Sequence, residues 1–214
     1  EVNNINTARE NLCNSTAGST TSGLIFGGYA GGATAITEEW DGTNWTESGD
    51  LNSAAYEVAG TGTQTAAIRA GGNPRSTNVE QYNGSSWTEI TEINTAKTGA
   101  SAAGLYTDAL VFGGNIAPGG TNTAQTEYWN GSSWTELNDL SAAKLLGNTG
   151  MGTTSSSSLY FGGISPAPAI VGTTEEWATA PATQAKLKEG MIFLSGGTSL
   201  KGFGKAAGIP AATW

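Results

Sequence analysis

The residues best suited to chemistry in this chain are four glutamates, Glu38, Glu80, Glu127 and Glu175, each two positions before an aromatic residue (Trp40, Tyr82, Trp129, Trp177). A pair of carboxylates at the right separation can hydrolyse a glycosidic bond, and neighbouring tryptophans can stack on sugar rings. These glutamates recur once per repeat of the sequence, however. A group present in every repeat is expected to be structural, accepting hydrogen bonds from nearby backbone amides or Thr hydroxyls. Trp40, Trp45, Trp87, Trp129, Trp134 and Trp177 also fall at repeat-equivalent positions and are expected to pack between repeats. Histidine is absent, which removes the commonest general base and metal ligand and every Ser-His-Asp or Cys-His arrangement. No D-x-D-x-D-G calcium loop or GxxxxGK phosphate loop occurs. The chain is therefore read as non-enzymatic, with no cofactor and no metal. A carbohydrate-active enzyme is kept as a minor alternative.

Charge and composition narrow the classes further. The formal net charge is −9, with only nine Lys and Arg residues in 214. A nucleic-acid binder needs a basic face to neutralise phosphates, so nucleic acid is not expected as a partner. No apolar run reaches the length of a membrane span, and no membrane insertion is expected. Cys13 is the single cysteine, so no disulfide can form within the chain, and it reads as a small apolar side chain in a strand. Asn14, Asn44, Asn83 and Asn130 head N-x-S/T triplets, but Asn-Gly-Ser is equally a turn. The start at Glu1 without a leader leads us to expect a processed product or a stretch of a longer protein.

The elements that must position these residues follow from internal repetition. Apolar runs ending in a glycine pair recur as GLIFGG, AAIRAGG, ALVFGG, LYFGG and MIFLSGG. The pairs begin at residues 27, 71, 113, 162 and 196, at intervals of 44, 42, 49 and 34. Wrapping from the last pair through the C-terminus to the first gives 45, and the five intervals total 214. Between the pairs run an acidic-x-aromatic signature, a tight turn, a second tryptophan (Trp45, Trp87, Trp134), and then an aliphatic residue opening LNSA, INTA or LSAA at Leu51, Ile93 and Leu140. Asp41-Gly42, Asn83-Gly84 and Asn130-Gly131 read as type I′ hairpin tips. The short apolar runs have strand length, and no stretch carries a sustained helical stripe; the best helix candidate, residues 182–189, is short. Each repeat thus yields about four strands, which radial repetition turns into propeller blades.

The string of four apolar residues, a glycine pair, an aromatic and a spaced tryptophan resembles the kelch repeat. The resemblance implies an all-β, kelch-like β-propeller of four-stranded antiparallel blades. Five blades are expected, at about 10–50, 51–92, 93–139, 140–180, and 181–214 closed with 1–9, with Trp214 and Glu1–Ile5 completing the last. Four blades plus a C-terminal extension is the alternative. Galactose-oxidase-like kelch enzymes need histidine ligands, which are missing. DGTNW and NGSSW superficially resemble the sialidase Asp-box, but their spacing is one residue short and only Arg9, Arg69 and Arg75 could form an arginine cluster.

The Ala/Gly/Ser/Thr/Asn-rich texture is also similar to kelch-like repeats of phage virion and tail-fibre proteins, particularly of marine phages. That resemblance implies a virion-surface, extracellular adhesin binding a host cell-surface glycan or protein, with other virion proteins and a homo-oligomer as further partners. A purely structural or capsid-decoration protein is the alternative. What differs between repeats is the segment after each glycine pair: 29–35, 73–77, 115–123 and 164–172. Loops on a rigid scaffold carry binding residues. Tyr29, Tyr56, Arg69, Asn73 and Arg75 are the loop candidates for ligand contact at the mouth of a central channel.

Overall fold

A computed structural model describes residues 2–118, 120–145, 150–166 and 169–178, and beyond these the strands Ile192–Ser195 and Ser199–Gly202. The chain divides into two compact units, Glu1–Ala178 and Thr179–Trp214. The described residues contain no helix.

In the first unit the repeats become small antiparallel sheets. β1 (Cys13–Asn14), β2 (Gly23–Phe26), β3 (Thr37–Trp40) and β4 (Trp45–Glu47) form blade 1, in that order. β5 (Ala59–Thr63), β6 (Ala66–Ala70), β7 (Val79–Tyr82) and β8 (Trp87–Ile90) form blade 2. Blade 3 is built from β9 (Ser101–Leu105) and β10 (Asp108–Phe112), followed after the small ribbon β11 (Asn115–Ala117) and β12 (Thr121–Asn122) by β13 (Thr126–Trp129) and β14 (Trp134–Glu136). Among the described residues blade 4 has three strands, β15 (Gly150–Thr154), β16 (Ser157–Phe161) and β17 (Thr174–Ala178). β5 packs beside β1 and β9, and β15 beside β9. The sheets are thus arranged like the blades of a four-bladed propeller. The second unit contains one described hairpin, β18 (Ile192–Ser195) with β19 (Ser199–Gly202), on either side of the fifth glycine pair in the sequence. The helix candidate at 182–189 and Trp214 lie outside the described residues.

Two local features show how the sequence writes this repeat. Both members of each described glycine pair take positive φ, as at Gly27 (62°) and Gly28 (114°), and a Cβ on Gly27 would lie 2.5 Å from the Ala55 carbonyl oxygen. The hairpin tips differ from the expected two-residue type I′ turn. The loop spans four residues, Asp41–Asn44, closed by Asp41 N–H to the Asn44 carbonyl at 3.2 Å, and φ is positive only at Gly42. The reason is the Asp41 side chain: Oδ1 accepts from the Thr43 and Asn44 amides at 2.7 Å, and those bonds hold the carboxyl below its ordinary pKa. Asn83 and Asn130 make the same pair of bonds.

The core lies between sheets, as separate clusters. Phe26, Leu51, Tyr82 and Trp87 join blades 1 and 2; Ile68, Val79, Val111 and Trp134 join blades 2 and 3; Leu110, Phe112, Leu140 and Tyr160 join blades 3 and 4. The second tryptophan of a blade packs onto the blade before it. Trp87 meets Phe26 edge-on at 4.8 Å and donates its indole N–H to Thr37 Oγ1 at 2.9 Å. Trp134 donates to the Thr91 carbonyl, also at 2.9 Å. The tryptophans at these positions are scaffold.

Candidate functional site

The repeated glutamates sit in a buried electrostatic network. Glu38 Oε2 accepts from the Asn6 amide at 2.7 Å, Glu80 Oε2 from Asn52, Glu127 Oε2 from Asn94 at the same distance, and Glu175 Oε2 from Ser141 at 2.6 Å. In every case the donor belongs to the LNSA/INTA-type segment that leads into the same blade. The side-chain amides of Asn52 and Asn94 add a second bond, at 2.8 Å. These partners, rather than Thr hydroxyls, satisfy the carboxylates.

Each carboxylate also has a cation. Arg9 pairs with Glu38, Lys97 Nζ lies 3.0 Å from Glu127 Oε1, and Lys144 pairs with Glu175. These three cations stand four residues after the aliphatic residue that opens their segments (Ile5, Ile93, Leu140); blade 2 has Ala55 there. Its cation comes instead from Arg69, the cross-strand neighbour of Glu80 on β6. Arg69 and Glu80 are fully buried, and Arg69 also donates to the Gly71 carbonyl at 3.0 Å, as Arg9 does to Gly27 at 2.8 Å. Burial pushes the Lys97 ammonium below its ordinary pKa, against the pull of Glu127. At Glu175 burial pushes the carboxyl up, but hydrogen bonds from Lys144 and Ser141 outweigh it and hold the group below its ordinary range.

The expectation for Arg69 is therefore corrected. It lies in a strand, not a loop, 1% exposed, and its guanidinium is consumed by Glu80 and Gly71. The other loop candidates gather at the mouth. Tyr29 and Glu10 form an isolated antiparallel bridge, as do Asn73 and Tyr56, Asn115 and Thr98, and Ile164 and Leu145. Each bridge ties the residue after a glycine pair to the residue leading into the inner strand. Tyr29 is 37% exposed and meets Tyr56 edge-on at 5.2 Å, so blades 1 and 2 present one aromatic pair. Asn73 is half-buried beside Tyr56, with reciprocal backbone bonds of 2.7 and 3.1 Å. Arg75 crosses to the next loop, donating to the Asn115 and Ala117 carbonyls at 3.1 and 2.9 Å and to Asn115 Oδ1. It braces two loops against each other.

Sequence reasoning missed Asn11 and Glu57. Both have left-handed backbones, φ 50° and 52°, where Gly99 stands in blade 3 with φ 62°. Glu57 N–H donates to the Asn11 carbonyl at 3.1 Å, and Gly99 N–H to the Glu57 carbonyl at 2.9 Å, linking three blades around the mouth. The Glu57 carboxylate accepts from Thr98 Oγ1 at 3.1 Å. The signal was the register: REN, AYE and KTG align at residues 9–11, 55–57 and 97–99, and one of them ends in glycine.

Below the mouth, all four inner strands reach one cavity of about 70 Å3, bordered by Cys13, Thr16, Gly60, Ser101 and Gly150. Ligand sites typically run to about 300 Å3 or more, so this space admits water rather than a sugar ring. Burial raises the Cys13 thiol to about 12, which keeps it protonated and unreactive near neutral pH. Among the described residues no cluster of His, Cys, Asp or Glu is arranged to hold a metal ion.

No protein-family model matches the chain, and no curated protein matches it.

Proposed function

We propose that this chain is a non-enzymatic attachment module, displayed on a virion surface, that binds a host cell-surface glycan or protein through the loops at the propeller mouth. The observation that carries the reading is the contrast in side-chain use. The repeated carboxylates and inter-blade tryptophans are consumed by the scaffold, whereas the pair of exposed Tyr29 and half-buried Tyr56 occurs once among the described residues, on a rim whose loops differ from blade to blade. Aromatic side chains presented at low entropic cost suit shallow contact with sugar rings or apolar protein patches. Weak contacts of this kind gain strength through multiple copies, which fits a homo-oligomeric fibre among other virion proteins.

The test is binding of the full chain, displayed multivalently, to host cells and to a glycan array, beside Tyr29→Ala and Tyr56→Ala variants. Binding that both variants lose supports the reading. Absence of binding at high valency, or binding indifferent to both substitutions, overturns it.

One observation favours a purely structural virion role instead. Met151 (58% exposed) and Ile170 (92%) leave apolar side chains bare on blade 4, as a surface buried against other chains would. The five-blade ring is a further part of the proposal and rests on the spacing of the glycine pairs. Deleting residues 179–214 tests it: a five-bladed ring loses cooperative unfolding, whereas a four-bladed one keeps it.

A further inference from the structure

At two points on the rim, backbone pairing decides which side chains stand together. Glu10 and Tyr29 exchange both backbone bonds, at 3.0 and 2.8 Å, and Tyr56 and Asn73 do the same. Directly opposed residues of an antiparallel pair carry their side chains on one face, with Cβ atoms about 4.5–5.5 Å apart. Glu10 therefore stands beside Tyr29, and Asn73 beside Tyr56. The rings of Tyr29 and Tyr56, with centroids 5.2 Å apart, join the two pairs. The result is a row of four side chains across blades 1 and 2: a carboxylate, two phenol rings and a carboxamide. Glu10 is exposed and Tyr29 is 37% exposed, so the carboxylate end of the row faces solvent.

The equivalent pairs of the other blades are different in kind. Asn115, opposite Thr98, is 4% exposed and held by Arg75, and Ile164 stands opposite Leu145. Neither pair contains an aromatic ring or a carboxylate. Charge around the row is also one-sided. The first unit has five Lys and Arg residues, and each is committed: Arg9, Arg69, Lys97 and Lys144 to the buried glutamates, and Arg75 to the loop at Asn115 and Ala117. The Glu10 carboxylate makes no hydrogen bond or ion pair with another described residue. A carboxylate beside a phenol ring attracts an ammonium group in two ways, by a charge-assisted hydrogen bond and by the negative face of the ring. An anionic ligand would meet Glu10 with no available cation from this unit.

We propose that the row recognises an amino sugar, a pyranose that carries an unacetylated, protonated amine. The inference rests on the attachment reading and names the ligand class of that site. The sugar ring lies on Tyr29, and its ammonium donates to the Glu10 carboxylate. The Asn73 carboxamide, which both donates and accepts, meets the sugar hydroxyls. Two rings and a carboxamide suit a flat polyhydroxylated face, whereas a lysine side chain of a basic peptide would use the carboxylate and leave the rest of the row idle.

The experiment applies the full chain, displayed multivalently, to oligoglucosamine, to the same oligomer fully N-acetylated, and to oligogalacturonate, in mildly acidic buffer where the sugar amines are protonated. Oligolysine is a further arm that carries ammonium without a pyranose. Oligoglucosamine is expected to bind, and N-acetylation to weaken binding about tenfold, the effect of one charge-assisted hydrogen bond. Glu10→Gln, at an exposed position where the fold is indifferent to it, should abolish that preference. Tyr29→Ala should weaken oligoglucosamine binding about fivefold, the effect of one stacked ring. If the acetylated oligomer, the uronate or oligolysine binds as tightly as oligoglucosamine, the inference is overturned and the attachment reading stands. A preference for the amine that survives Glu10→Gln has the same consequence. Failure to bind any of these probes also overturns the inference; the attachment reading falls with it only if host cells go unbound as well.

Discussion

The buried carboxylates and the mouth are built from the same repeat and treat it in opposite ways. At Glu38, Glu80, Glu127 and Glu175 the geometry is held while the parts are exchanged: blade 2 loses its cation at Ala55 and recovers it from Arg69 on a neighbouring strand. At the mouth the backbone bridges are held while the side chains diverge, from Tyr29 to Asn73, Asn115 and Ile164. Substitution with compensation marks a network that folding depends on. Divergence without compensation marks a surface free to take up binding. A repeated acidic residue in such a chain is thus an anchor for the entering segment, fastening each inter-blade connection to the blade it leads into.

The sharpest way to break this contrast is at Arg69. Arg69→Ile, which copies the aliphatic residue at the equivalent position 25, leaves Glu80 buried without its cation. A loss of about 3–5 kcal/mol is expected from removing one partner of a buried pair, measured by urea unfolding. Adding Ala55→Lys, which copies blade 3, should return most of that loss. If the double variant is as unstable as the single one, the compensation does not exist.

Acid should act on the same network more weakly. The Glu175 carboxyl is held below its ordinary pKa in the folded chain, so it contributes stability that is present above the unfolded value near 4.3 and lost as pH falls through the folded value. The group is 19% exposed, and solvent screening limits the contribution to about 1 kcal/mol. Thermal melts from pH 6 down to pH 3 should fall less steeply in Glu175→Gln than in the parent; parallel slopes would remove Glu175 from the acid response.

At the mouth, effects on stability should be smaller still. Glu57→Gly relieves a left-handed backbone on a residue with a Cβ at the entropic cost of glycine, so stability should rise by no more than about 1 kcal/mol. A drop of several kcal/mol would move the Glu57 carboxylate from the rim to the scaffold. Tyr29→Ala should change stability least, by less than about 0.5 kcal/mol, as expected of a surface side chain, while removing the binding proposed for the rim. Destabilisation comparable to that of Arg69→Ile would erase the distinction between the two regions.

Much of the fold was legible because a strand repeat writes its features at fixed spacing. The runs before the glycine pairs became β2, β6, β10 and β16, and the acidic-x-aromatic signatures became β3, β7, β13 and β17. The aromatic pair at the rim was legible only as two separate tyrosines. Arg69 was misjudged because a lone arginine beside a glycine pair reads as a loop residue until its partner across the sheet is known. The hairpin tips were misjudged because Asp-Gly and Asn-Gly report a turn but not its length, which the side-chain oxygen sets by capping two amides.

The sequence by itself determined the period, the strands, the glutamates as structural groups and the tryptophans as packing groups. All of these are local patterns repeated along the chain, and repetition is visible in one dimension. Only the tertiary structure decided which cation neutralises which carboxylate, and that Asn11, Glu57 and Gly99 link three blades around the mouth. Those facts concern residues about 10 to 50 positions apart whose meeting depends on strand register and on how one sheet stacks against the next.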